Sequence, residues 1–234
     1  MIEKRELENG LILIRDEDGL SLHSEDQVLK GDYTRMLPRV KASNLSKELL
    51  VRAAKIKDPE GPLMAVDATA GLGEDSLLLA AAGFHVTMFE KNPIIYELLC
   101  DTLKRAAEIP ELSEIVTRMH VCHGDSMEGM KNLDFQPDVI LLDPMFPERQ
   151  KSALVKKKLQ MIQKLEIPCM DEVELMKTAI EANPKKLIVK RPPKGPHLAG
   201  LKPDYSNEGK AVRFDCFVNP FDRLHKFKFI SSES

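Results

Sequence analysis

From Leu63 onward, short apolar runs alternate with stretches of helical periodicity, and that alternation leaves few folds open. Leu63 to Val66, His85 to Phe89, Met119 to His123, Val139 to Leu142 and Leu187 to Val189 are too short for helices and read as strands. Between them, Glu74 to Ala82, Pro93 to Ala107, Ala153 to Leu165 and Asp171 to Ala182 read as helices. Gly83 suits the position just past a helix end, and Asn92-Pro93 supplies a side-chain cap followed by a first-turn proline. Val212 to Val218 reads as a late strand, paired antiparallel with residues near 203–206 across the Asn207-Glu208-Gly209 turn. Strand–helix units of this kind bury their apolar faces as a mostly parallel sheet covered on both sides. The expectation for residues 61–234 is therefore an α/β, Rossmann-like domain with a mostly parallel seven-stranded sheet.

Residues 1–60 carry a different pattern. Gly10-Leu11-Ile12-Leu13-Ile14 and Leu20-Ser21-Leu22 flank an Asp18-Gly19 turn, a hairpin signal. Lys30-Gly31-Asp32 reads as a second turn, and Ser43-Asn44 as the cap of one helix carrying Leu45, Leu49, Leu50 and Ala53. Pro59-Glu60-Gly61-Pro62 is a break. This part is expected to be a small N-terminal α+β subdomain.

Composition removes several function classes. The 234 residues are 43% hydrophobic and 30% charged, a globular balance, with no apolar run long enough to span a membrane and no signal-peptide core at the N-terminus. Cys100, Cys122, Cys169 and Cys216 form no C-x-x-C pair, which fits reduced thiols in a cytoplasm. His120 and His123 alternate to opposite faces of a strand, so no metal site is expected there. A net charge of −3 means that any nucleic-acid contact must come from local basic clusters.

In an open parallel sheet, ligands bind beyond the carboxyl ends of the strands. Here each of the first four strands delivers a polar group to that edge: Asp67 and the Gly71-Leu72-Gly73 turn, Glu90, Asp125 with Ser126, and Asp143. The glycine turn alone fits several nucleotides. Glu74 and Asp75, in the first turn of the following helix, would repel a pyrophosphate there and suit a cofactor bearing an ammonium and a sulfonium, as S-adenosylmethionine does. Glu90, 19 residues beyond Gly71, can accept both ribose hydroxyls.

The stretch Asp138 to Arg149, D-V-I-L-L-D-P-M-F-P-E-R, ends its strand on an acid, a proline and an aromatic. Asp143 and the Pro144 carbonyl can accept the two N–H bonds of a flat amine, and Phe146 can stack on its ring, worth roughly 1–3 kcal/mol. D-P-M-F resembles the [N/D]-P-P-[Y/F] motif of exocyclic-amine methyltransferases, with Met145 in place of the second proline.

The runs D-A-T-A-G-L-G-E-D, F-E-K-N-P, H-G-D-S, L-L-D-P-M-F-P-E-R-Q-K-S-A-L-V-K-K, V-K-R-P and R-F-D together resemble the small-subunit rRNA methyltransferase J family, over about residues 61 to 218. The resemblance implies a class I, S-adenosylmethionine-dependent enzyme that methylates the exocyclic N2 amine of a guanosine in 16S rRNA. It also implies cofactor contacts at Glu74, Asp75, Glu90, Lys91, Asp125, Ser126 and Asp143. The chain departs from the family at R-V-K-A-S-N-L-S-K-E-L-L, where familiar members carry a glycine-rich, arginine-containing segment. Residues 1–60 are expected to dock the RNA. Arg149 and Lys151, together with Lys190 and Arg191 at the end of the fifth strand, are expected to hold its phosphates. Lys156 to Lys158 extend the cluster of Arg149 and Lys151, with a solvated helix face as the alternative reading. Competing readings are methylation of another amine in RNA, DNA or a protein glutamine, a nicotinamide-dependent oxidoreductase, and a non-catalytic RNA-binding module. The acids at Glu74 and Asp75 weigh against the oxidoreductase, and the intact D-P-M-F against the non-catalytic module.

Overall fold

A computed structural model describes residues 2–7, 10–25, 27–144, 165 and 171–224. The helix expected over 153–165 falls outside them except at Leu165, as do Met145, Phe146, Arg149, Lys151 and Lys156 to Lys158.

The main sheet has seven strands: β5 (Leu63–Asp67), β6 (Phe84–Glu90), β7 (Met119–His123), β8 (Val139–Leu142), β9 (Lys186–Arg191), β10 (Tyr205–Glu208) and β11 (Arg213–Val218). Their order is β10-β11-β9-β8-β5-β6-β7. Strands β7, β6, β5, β8 and β9 run parallel, and β11 is antiparallel to both β9 and β10. Chain order reverses beside β5, so a crevice opens at the carboxyl ends of β5 and β8. All four residues of β8 are fully buried, as expected for a strand covered on both faces. Alternation assigns each side chain: Val139 and Leu141 join the core on one face, Ile140 and Leu142 the core on the other.

The helices are α4 (Glu74–Ala81), α5 (Pro93–Ala107), α6 (Pro110–Val116), α7 (Ser126–Lys131) and α8 (Glu172–Glu181). As the sequence predicts, Asn92 caps α5, its Oδ1 accepting from Ile94 N and Ile95 N at 2.9 and 3.2 Å. Both α6 and α7 go beyond the sequence reading. Each is under two turns long, too short to show a period.

The N-terminal part forms a four-stranded antiparallel sheet, β1 (Glu3–Glu6), β2 (Ile12–Asp16), β3 (Gly19–His23) and β4 (Val28–Leu29), with the expected β2–β3 hairpin. After a 3-10 turn at Tyr33–Met36 come α1 (Leu37–Val40), α2 (Ala42–Leu45) and α3 (Leu49–Ala54). The single helix expected here is two, because Glu48 takes an extended conformation (φ −63°, ψ 129°) between α2 and α3. Asn44 does not cap; its side-chain amide donates to the Pro38 carbonyl at 2.9 Å.

This part does not have a core of its own. Leu11, Leu13, Leu20, Leu22 and Leu29 pack on Ile95 and Leu98 of α5 and on Leu72, while Tyr33, Met36, Leu50, Ala53 and Ala54 enter the core of the main sheet. A buried carboxylate fastens the seam: Asp101 of α5 accepts from Arg105 Nε, Leu20 N and Arg15 Nη1 at 2.8, 2.9 and 3.0 Å. Burial opposes its ionisation, and those donors outweigh it, holding Asp101 below the usual carboxylate range.

Candidate active site

At the end of β5 the chain turns through Asp67, Thr69, Gly71 and Gly73 into α4. Gly71 and Gly73 have φ of +54° and +73°, a region that a side chain disfavours. They differ in surroundings. A Cβ on Gly71 would meet open space, whereas one on Gly73 would lie 2.3 Å from the Tyr33 hydroxyl and 2.8 Å from Leu99 Cδ1. Gly71 therefore borders a cradle, and Gly73 is a packing contact. The Tyr33 hydroxyl donates to the Leu72 carbonyl at 2.9 Å, so the N-terminal part grips the turn itself. Burial, with the charges of Glu74 and Asp67, pushes the Tyr33 hydroxyl far above its ordinary pKa and keeps it a neutral donor.

Asp67 points inward. It is 1% exposed and accepts from Ser76 Oγ at 2.5 Å and Thr69 N at 3.1 Å. Burial pushes it up to about 7 against those two bonds. Its carboxylate ties strand to helix. Thr69, in turn, reaches the opposite strand end, its Oγ1 accepting from Asp143 N at 2.7 Å.

Glu90 closes β6 and steadies the glycine turn, accepting from Gly71 N at 3.0 Å and Asn92 N at 2.7 Å. Burial raises it above the usual glutamate range despite those donors. Lys91 and Asp125 pair at 2.8 Å, and Asp125 also caps α7 by accepting from Met127 N at 2.8 Å. Burial works against the Asp125 charge, but Lys91 and the cap outweigh it, and the group lies below the usual range. Ser126 is the first residue of α7, beside that cap.

Asp143 follows β8, 41% of its side chain exposed, and Pro144 behind it is buried. The Lys190 ammonium, at the end of neighbouring β9, lies 2.8 Å from Asp143 Oδ2 and 2.6 Å from Asp75 Oδ2 in α4. The structure thus draws Lys190 into the crevice. Arg191, the next residue, turns to the other face and is 3% exposed, its Nε donating to the Pro196 carbonyl at 2.7 Å. The sequence reading expects both to hold RNA phosphates; in the fold Lys190 is half-buried and Arg191 buried, because a strand alternates its side chains between faces that are here both covered. The R-F-D run serves that loop: Arg213 binds both oxygens of Asp215 and donates to the carbonyls of Pro193 and Gly195.

Sequence reasoning missed Thr69 and Tyr33. Neither belongs to a local pattern, since their partners lie 74 and 39 residues away. Among the described residues, no group of three or more His, Cys, Asp or Glu side chains is arranged to hold a metal ion, and no helix is long and apolar enough to cross a membrane.

Glu90 beside the open face of Gly71, Asp125 paired with Lys91, and Asp143 paired with Lys190 stand at the ends of β6, β7 and β8, carboxylates suited to a ligand that carries hydroxyls and a positive charge. The sheet order is that of a Rossmann-like class I fold, and the chain is a class I methyltransferase dependent on S-adenosylmethionine. A family model described as "Putative SAM-dependent methyltransferase" matches residues 2–219. The chain belongs to the ribosomal RNA small subunit methyltransferase J family. It is 41% identical to the member from Thioalkalivibrio sulfidiphilus over 216 residues, 89% of this chain and 84% of that protein. Identity to the member from Marinobacter nauticus is 38% over 215 residues, 89% of this chain and 77% of that one. The crystal structure of an S-adenosylmethionine-dependent methyltransferase from Neisseria gonorrhoeae superposes with a TM-score of 0.71 at 31% identity, covering 92% of this chain and 85% of that chain.

Proposed function

We propose that the protein methylates the exocyclic N2 amine of a guanosine in 16S rRNA, in the cytoplasm, on free rRNA or on the small ribosomal subunit. The observation that carries this reading is the placement of Asp143 and Pro144 at the carboxyl end of β8, beside the cofactor crevice, in a chain whose relatives are named as small-subunit rRNA methyltransferases. When bound, S-adenosylmethionine supplies a methyl carbon on a positively charged sulfur, which leaves as a neutral thioether.

The protein's part is orientation. Glu90 takes the ribose hydroxyls with the lone pairs that Gly71 N and Asn92 N leave available. Asp125 receives the adenine end, and Lys91 keeps it ionised. An aromatic amine is a poor nucleophile because its lone pair is spread into the ring. Accepting its two N–H bonds at Asp143 and the Pro144 carbonyl favours a pyramidal nitrogen, and positioning supplies most of the rate. As the new C–N bond forms, the surplus proton on nitrogen passes to Asp143 or to water. Phe146, outside the described residues, takes the stacking role on the extruded base. Arg149 and Lys151, also outside them, take phosphates, assisted by the exposed Arg35, Arg39, Lys41 and Lys47 of the N-terminal part. That part (residues 1–60) docks the RNA, and residues 61–234 perform the transfer.

The test is to incubate the protein with methyl-labelled S-adenosylmethionine and, separately, small subunits, free 16S rRNA, DNA and protein, then digest the labelled product. N2-methylguanosine from the rRNA is expected. Label in another nucleoside or in glutamine overturns the reading. Asp143→Ala should abolish transfer.

A further inference from the structure

We propose that Lys190 is a positioning residue for methyl transfer: its ammonium, clamped between Asp75 and Asp143, sets the charge and direction of the Asp143 carboxylate, and it does not contact RNA phosphates. The proposal rests on the assignment of Asp143 as the acceptor of the amine.

Three elements converge on this ammonium. Lys190 is the second-last residue of β9 and Asp143 follows β8, parallel neighbours in which Leu142 pairs with Val189, so the next residues along stand side by side. Asp75 comes from the first turn of α4, 115 residues away. The Lys190 side chain is 29% exposed, and its distances to the two carboxylates are 2.6 and 2.8 Å. A lysine that left this clamp for a phosphate would abandon two close carboxylates in a partly desolvated crevice, a costly exchange. Charge-assisted bonds of this length also fix direction, which the amine's two N–H bonds require.

The charges facing Asp143 divide evenly. Asp75 of α4 and Asp67 of β5 oppose its ionisation, while Lys190 and Arg191 of β9 support it. Although 41% of the Asp143 side chain is exposed, the loss of hydration against the packed strand ends is the largest influence and raises its carboxyl above the usual range; Lys190 offsets it most. On Lys190 itself, burial disfavours the charged form, and Asp75 with Asp143 outweigh it, holding the proton beyond the usual lysine range. Removing the ammonium therefore raises the Asp143 pKa further. Removing Asp75 lowers it.

The decisive measurement needs no substrate: the titration of the Asp143 carboxyl carbon, followed by NMR in protein labelled with carbon-13 aspartate. Lys190→Met should move its midpoint up, Asp75→Asn should move it down, and Lys190→Arg should stay near wild type. Opposite displacements are not what a purely structural lesion produces. In methyl transfer to small subunits, Lys190→Met should lower kcat about tenfold or more near neutrality and carry the acid limb of the pH profile upward. Its KM for RNA and the salt dependence of that KM should stay unchanged, and Lys190→Arg should recover most of kcat. An unmoved Asp143 midpoint, with raised KM and a flattened salt dependence in Lys190→Met, overturns the proposal in favour of a phosphate contact. If wild-type protein methylates some other acceptor, the guanosine reading fails, and the Asp143 titration still decides the role of Lys190.

Discussion

The Tyr33 hydroxyl donates to the Leu72 carbonyl at 2.9 Å, joining the N-terminal part of the chain to the middle of the glycine turn. Both residues are buried, so neither group has water as an alternative partner. The turn's shape is therefore set partly by residues that precede the methyltransferase sheet.

Tyr33→Phe leaves the Leu72 carbonyl unpaired in the interior, which should cost about 1–3 kcal/mol of stability. Affinity for S-adenosylmethionine should fall with it, because the turn loses its brace. Urea unfolding and calorimetric titration measure the two effects. An unchanged dissociation constant alongside reduced stability would mean that the brace serves folding alone.

The two glycines of the turn should separate packing from ligand space. Both substitutions to alanine meet the cost of a left-handed backbone, roughly 1–2 kcal/mol. Gly73→Ala adds overlap with Tyr33 and Leu99, so it should be clearly the less stable variant. Gly71→Ala places its methyl in open space, so its larger effect should be on cofactor affinity. Thermal unfolding with and without the cofactor distinguishes the two patterns.

Asp67 should make stability depend on pH. Its folded pKa is pushed up to about 7 from an ordinary value of 3.8. Between those values the folded protein holds a proton that the unfolded chain has released. Stability from this group is thus fully present below 3.8, falls as pH rises, and is lost once pH passes about 7. In Asp67→Asn, urea denaturation across this range should show that decline removed, even though the amide loses one acceptor toward Ser76 or Thr69.

Asp215 anchors the loop that follows Lys190. It lies below the usual carboxylate range: burial opposes its charge, and Arg213, Ser206 and His197 outweigh it. Asp215→Ala strands the Arg213 guanidinium, whose side chain is 8% exposed, and should cost about 3–5 kcal/mol. Hydrogen exchange should accelerate across Pro192 to His197. Protection unchanged there would show that the loop is held by its backbone alone.

Local physics carried much of this molecule. A run of four apolar residues stopped by an acid and a proline reads as a fully buried strand, so Val139 to Leu142 and the acid after it were legible from their order. Asn92-Pro93 marks the start of α5 because capping is a contact over two or three residues. The polar groups after successive strands announced the crevice, since a parallel sheet brings all those ends to one edge. Direction was not legible. Whether Asp67 faces the ligand or Ser76, whether Lys190 reaches outward to RNA or inward to Asp143, and that Arg191 faces the Pro196 carbonyl depended on which strands and helices became neighbours. Tyr33 against Leu72, and the leucine face of the N-terminal sheet against α5, are likewise pairings between distant segments. The amino-acid order determined the elements and the edge where chemistry gathers. The tertiary structure alone decided which charge stands beside which, because side-chain direction at a strand end is set by the packing around it and not by the residues before it.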